Sequence, residues 1–112
     1  LADFASFYLK DQIEIDPKAA AKFLKPEILE PMRALAVELN AHEGELTEAS
    51  TQAVFESVLA RFNLKLGQLA QPVRVAITGG TVSPGIYEVI GVLGKRRTVG
   101  RLNAAVRLIE SS

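Results

Sequence analysis

The stretch Gln71–Glu110, QPVRVAITGGTVSPGIYEVIGVLGKRRTVGRLNAAVRLIE, decides how the chain folds. Val73, Val75, Ala76 and Ile77 have strand propensity, but a single short strand has no partner to pair with. The segment ends at Gly79-Gly80, so a short helix capped by Gly79 is the expectation. Thr81-Val82-Ser83-Pro84 then restarts the chain as a helix. Ser83 can accept a hydrogen bond from the orphan N–H groups of a first turn, and Pro84 fits the first helical position. The new helix is expected over 85–93, with a break at Gly94. A second helix follows and carries Lys95, Arg96, Arg97, Arg101 and Arg107.

The upstream residues also read as helices. Residues 1–9 (LADFASFYL), with Phe4, Phe7 and Tyr8 close together, are expected to form a short helix or extended leader that covers a core elsewhere. Residues 11–16 alternate in polarity, a weak strand signal without a partner, and are read as a loop. Asp16-Pro17 starts a short helix over 18–24. Pro26 and Glu27 open another that reaches about His42, with Leu29, Met32, Leu35, Ala36 and Leu39 as its apolar stripe. Pro31 lies one turn in, where a missing N–H costs little. After a polar connection around Gly44, Thr47 caps a helix over 48–62, with Glu48 well placed at its N-terminus. Its stripe is Val54, Phe55, Val58, Leu59 and Phe62. Residues 63–71, which include Gly67, read as a loop or broken turn. The expected fold is all-α, a bundle of five or six short helices.

The chain has 112 residues, 48% hydrophobic and 23% charged, the composition of one small folded domain. Formal net charge is zero, but residues 1–64 hold six Lys/Arg against eleven Asp/Glu, and residues 65–112 hold seven against two. This split fits an anionic partner for the C-terminal half; it equally fits attraction between the halves of one domain. Likewise, a helix N-terminus close to several cations suits a polyanion such as RNA. An ordinary cap beside a solvated basic face accounts for the same residues.

Cysteine is absent, which excludes thiolate nucleophiles, thiolate metal sites and disulfides. No HExxH, CxxC, P-loop or GxSxG pattern occurs. His42, the single histidine, ends a helix and is expected to meet terminal carbonyls rather than a metal. Gly79-Gly80 and Gly91-x-x-Gly94 follow no strand of a βαβ unit, and Glu27 with Glu30 reads as a solvated acidic face. No catalytic group is assembled. No apolar run approaches the roughly 20 residues of a membrane span. The chain begins at Leu1 without Met and is read as a piece of a longer protein, cut at a domain boundary or left by proteolysis.

Residues Leu66–Val106, LGQLAQPVRVAITGGTVSPGIYEVIGVLGKRRTVGRLNAAV, resemble the C-terminal signature of bacterial glutamyl-tRNA synthetases. The likeness is looser but collinear upstream, through FYLKDQIEID and residues 47–64. It implies that all 112 residues form a helical, cage-like anticodon-binding region, with an acidic helical part over 1–64 and a basic subdomain over 65–112. It also implies a parent that is a monomeric, cytoplasmic, ATP-dependent glutamate–tRNA ligase. The catalytic HIGH-like and KMSKS-like motifs are absent here. They would lie in a separate N-terminal Rossmann domain with the ATP, magnesium and glutamate sites, and this region would be catalytically silent by itself. The implied partners are the anticodon stem-loop of tRNA(Glu) and that catalytic domain, with no membrane.

The resemblance also nominates residues. Arg74 matches an arginine of the anticodon-loop contacts. Ser83-Pro84-Gly85-Ile86 matches the turn opening the helix that meets the anticodon bases. Tyr87 aligns with an aromatic position, to stack on a base or to be buried under the helix. Lys95, Arg96, Arg97 and Arg101 correspond to a charged helix, for phosphate contact or for solubility. No residue matches the arginine by which the family reads the first anticodon position, so the choice between glutamate and glutamine anticodons stays open. The alternative to tRNA binding is a helical protein–protein docking module with a cationic face.

Overall fold

Asp16 and Pro17 begin the first helix as their chemistry dictates: the Asp16 carboxylate accepts the Lys18 N–H at 3.2 Å, and Pro17 takes the first helical position. The architecture comes from a computed structural model that describes residues 15–44, 46–80 and 85–111. In chain order the elements are α1 (Pro17–Phe23), a 3-10 turn (Pro26–Ile28), α2 (Leu29–Ala41), α3 (Glu48–Phe62), α4 (Leu66–Thr78) and α5 (Ile86–Ser111). No strand occurs among the described residues. The residues expected to form an apolar leader, 1–9, lie outside them.

α5 is the element on which the others assemble. α2, α3 and α4 all pack on it, and α1 packs on α4. The core draws Met32, Leu35 and Leu39 from α2, Phe55 and Val58 from α3, Leu69, Val73 and Ile77 from α4, and Val89, Ile90 and Leu102 from α5, all fully buried. These residues recur at helical spacing, so each helix presents one apolar stripe to a shared interior. Both sequence halves contribute.

The helix ends follow local chemistry. Thr47 and Ser50 cap α3 reciprocally: the Ser50 N–H donates to the Thr47 hydroxyl at 3.1 Å, and the Thr47 N–H donates to the Ser50 hydroxyl at 2.8 Å. At the other end Asn63 adopts a left-handed conformation, φ 55°, while the Leu64 N–H reaches back to the Leu59 carbonyl at 2.8 Å. α4 ends on Gly79, φ 87°, whose N–H donates to the Val75 carbonyl. His42 closes α2 through its backbone N–H rather than its imidazole.

One expectation is overturned. Residues 63–71 read from the sequence as a loop or broken helical turn, but α4 already begins at Leu66 and runs as a regular helix through Pro72. The Gln68 side chain accepts the Lys65 N–H at 2.8 Å and supplies the missing cap. Leu69, Ala70, Val73, Ala76 and Ile77 then form one buried stripe. Packing of that stripe outweighs Gly67 at the start and the hydrogen bond that Pro72 cannot make. Pro26 also opens a 3-10 turn, not the first turn of α2.

α5 is two arms meeting at Gly94, whose φ of 82° and ψ of 168° belong to a region that side chains other than hydrogen rarely enter. The arm before Gly94 lies on α3, with the Tyr87 ring edge-on to Phe55 at 5.3 Å. The arm after it crosses to α4 and α2, ending where Arg33 bridges Glu30 and Glu110 at 2.6 Å each. That ion network is solvent-exposed and contributes little, on the order of 0–1 kcal/mol.

Two substitutions separate backbone from core. A Cβ at Gly94 would meet nothing within 4 Å, so Gly94→Ala is expected to lose about 1–3 kcal/mol through conformation alone. Phe55→Ala, at a fully buried ring, is expected to lose about 3–5 kcal/mol through a cavity. Urea unfolding of both variants checks this: a neutral Gly94→Ala would mean that the arms do not require the observed bend.

Candidate nucleic-acid interface

Of the nominated residues, Arg74 lies near the C-terminal end of α4, and Gly85, Ile86 and Tyr87 lie at the start of α5. Arg74 is half-buried, one turn before the end of α4. Its carbonyl accepts the Thr78 hydroxyl at 2.7 Å, and the same hydroxyl accepts the Gly80 N–H at 3.3 Å. The Gly79 carbonyl accepts the Asp16 N–H at 2.8 Å, which ties the turn to the start of α1. The end of α4 is therefore held by side-chain and backbone bonds on two sides, with Arg74 on its flank.

On the α5 side, Gly85 is exposed and its carbonyl accepts the Val89 N–H at 3.0 Å. Ile86 is buried and belongs to the core, so it supports the helix start instead of meeting a ligand. Tyr87 is half-buried with its ring committed to Phe55, which favours the packing role over stacking on a base. Burial raises the pKa of its hydroxyl, and the nearby Glu56 charge raises it further. The hydroxyl stays protonated at neutral pH. The nominated Ser83 and Pro84 lie outside the described residues.

The cationic helix divides sharply. Arg101 is only 2% exposed and donates from Nη1 to the Ile77 carbonyl at 2.8 Å. A guanidinium in that position cannot reach a phosphate, so Arg101 leaves the set of phosphate contacts nominated from the sequence. The signal was present: Thr98, Arg101, Leu102, Ala105 and Ile109 fall at helical spacing, and all are buried. Lys95 donates from Nζ to the His42 carbonyl at the end of α2. Arg96 and Arg107 are exposed and Arg97 is half-buried. Lys95–Arg97 also sit beyond the bend at Gly94, 10 to 12 residues and about 15–18 Å of helix from Gly85, so they are not part of the same end.

The described residues contain no group of His, Asp and Glu arranged to hold a metal ion, and no helix among them is long and apolar enough to cross a membrane.

A family model described as an anticodon binding domain matches residues 1–106. The glutamate–tRNA ligase of Syntrophobacter fumaroxidans is 48% identical over 110 residues, covering 98% of this chain and 23% of that protein. That of Thermodesulfovibrio yellowstonii is 44% identical over 112 residues, covering all of this chain and 23% of its own length. The chain thus spans about a quarter of the relatives it matches. A crystal structure of a glutamate tRNA ligase from Elizabethkingia meningosepticum, in complex with its amino acid, superposes with a TM-score of 0.84. That match covers 94% of this chain and 20% of the other at 20% identity, a likeness of fold. The all-α expectation and the resemblance seen in Leu66–Val106 both agree with these matches, and the chain belongs to the anticodon-binding domain family.

Proposed function

We infer that this chain is the anticodon-binding region of a glutamate–tRNA ligase and that it reads the anticodon loop of tRNA at the junction of α4 and α5. The observation that carries this is the placement of Arg74 beside the Gly79-Gly80 turn, in a chain whose family binds anticodons and whose curated relatives are glutamate–tRNA ligases. Anticodon bases are single-stranded and can be splayed and read on their edges. Backbone N–H groups at the start of α5, with the hydroxyl of Ser83, supply that reading. Arg74 supplies the charge that holds the loop backbone, and exposed Arg96 would meet phosphate further along the stem. The rest of the ligase lies outside these residues. It would hold ATP, magnesium and glutamate, join glutamate to the tRNA, and pack against this domain within one chain.

The test is an NMR titration of the chain with an anticodon stem-loop carrying the glutamate anticodon, repeated with a scrambled loop and at two salt concentrations. Shifts at Gly85 and Tyr87 with the cognate loop alone are expected, and a shift at Arg74 with both loops. Arg74→Ala is expected to weaken both loops similarly and to lower the salt slope by about one. Equal shifts with both loops, confined to Lys95–Arg107 and lost in salt, would leave only a cationic surface of the kind a protein partner could use.

A further inference from the structure

We propose that Arg101, silent toward RNA itself, is a positioning residue for anticodon reading: it caps the C-terminus of α4 from inside the core and so fixes Arg74 and the Gly79-Gly80 turn against α5. The proposal rests on the reading of the α4–α5 junction given above.

The last carbonyls of a helix have no partner within it and carry its partial negative charge. At the end of α4 the Arg74 carbonyl takes the Thr78 hydroxyl and the Val75 carbonyl takes the Gly79 N–H. The Ile77 carbonyl points into the protein and takes the guanidinium of Arg101 from a helix 24 residues further on. A charged donor at a buried helix C-terminus is the strong form of this contact, because both the hydrogen bond and the helix dipole favour it where water is excluded. Ile77 lies three residues after Arg74 and two before Gly79, so one bond reaches both parts of the junction. It also ties the end of α4 to the second arm of α5, beyond the bend at Gly94.

Such a residue affects recognition differently from a surface cation. Losing a phosphate contact weakens all RNA sequences alike. Losing the cap frees the end of α4, which disturbs the geometry that only the cognate loop uses.

The experiment compares Arg101→Met, Arg101→Lys and Arg107→Met, the last removing an equal charge from an exposed site. Each variant is titrated with the cognate and the scrambled stem-loop, with circular dichroism and amide exchange at Gly79 and Gly80 recorded alongside. Arg101→Met is expected to lose about tenfold in affinity for the cognate loop and less than about twofold for the scrambled one. Its Gly79 and Gly80 amides should exchange faster while helicity is retained. Arg101→Lys should recover most of the cognate preference, and Arg107→Met should leave the cognate-to-scrambled ratio unchanged.

The proposal falls if Arg101→Met lowers both affinities equally, or lowers only the melting temperature with both affinities intact. It falls too if both Arg101 variants unfold, since the guanidinium would then be a folding element and nothing more. A wild-type chain that does not distinguish the loops defeats the anticodon reading itself and this positioning role with it. A wild type that does distinguish them, with an unaltered ratio in Arg101→Met, defeats the positioning role alone.

Discussion

A guanidinium taken out of water is among the most costly groups a small core can hold, and here one sits between α4 and α5. Burial of an ion costs several kcal/mol even after relaxation unless its donors are well met. Arg101 meets the Ile77 carbonyl at the negative end of α4, where the peptide dipoles add to that hydrogen bond. This bond lies at the α4–α5 contact, so the approach of α4 to the second arm of α5 is held by chemistry as well as by shape. The apolar layers around it, Val73, Ile77 and Leu102, are then packed about a defined spacing.

Lys95 repeats the arrangement one element away. Its ammonium meets the carbonyl of His42 at the end of α2, so cations from the second arm of α5 meet the C-termini of two different helices. This gives the charge split of the sequence a partly internal meaning. The C-terminal half is basic in part because it supplies caps to helix ends, and Glu110 returns a carboxylate to Arg33 of α2. Gly94 makes this possible. Without its bend, one straight helix could not lie on α3 through Tyr87 and also cross to the ends of α2 and α4.

What could be read from the residues alone was mostly punctuation. Asp16-Pro17, Thr47, Gly79 and Gly94 each act through a single local property: a side-chain acceptor, a fixed φ, or a permitted positive φ. Such properties do not depend on the rest of the fold. The start of α4 was misread for the opposite reason. Gly67 and Pro72 are local arguments against a helix, and they are overcome by burial of Leu69, Val73 and Ile77, which exists only once α1 and α5 are in place. Arg101 was misjudged by side-chain type. Its number in the helical period placed it on the buried stripe, but arginine is so seldom buried that type outweighed position. At the junction, the family likeness nominated Gly85 and Ile86 together, whereas exposure separates them, because neighbouring residues on a helix face different ways.

The same partition bears on how such a domain would discriminate. Phosphate contacts raise affinity for any RNA and carry no sequence information, whereas base edges carry it. A basic helix with all its cations in water would bind tightly and without choice. Here Arg101 is withdrawn into the core and Lys95 is committed to a helix end. Fewer charges are left to attract RNA in general, so the geometry of the α4–α5 junction accounts for a larger share of whatever preference the domain shows. On this view the buried cation would serve recognition twice: it removes a source of indiscriminate attraction, and it stiffens the junction proposed to read the loop.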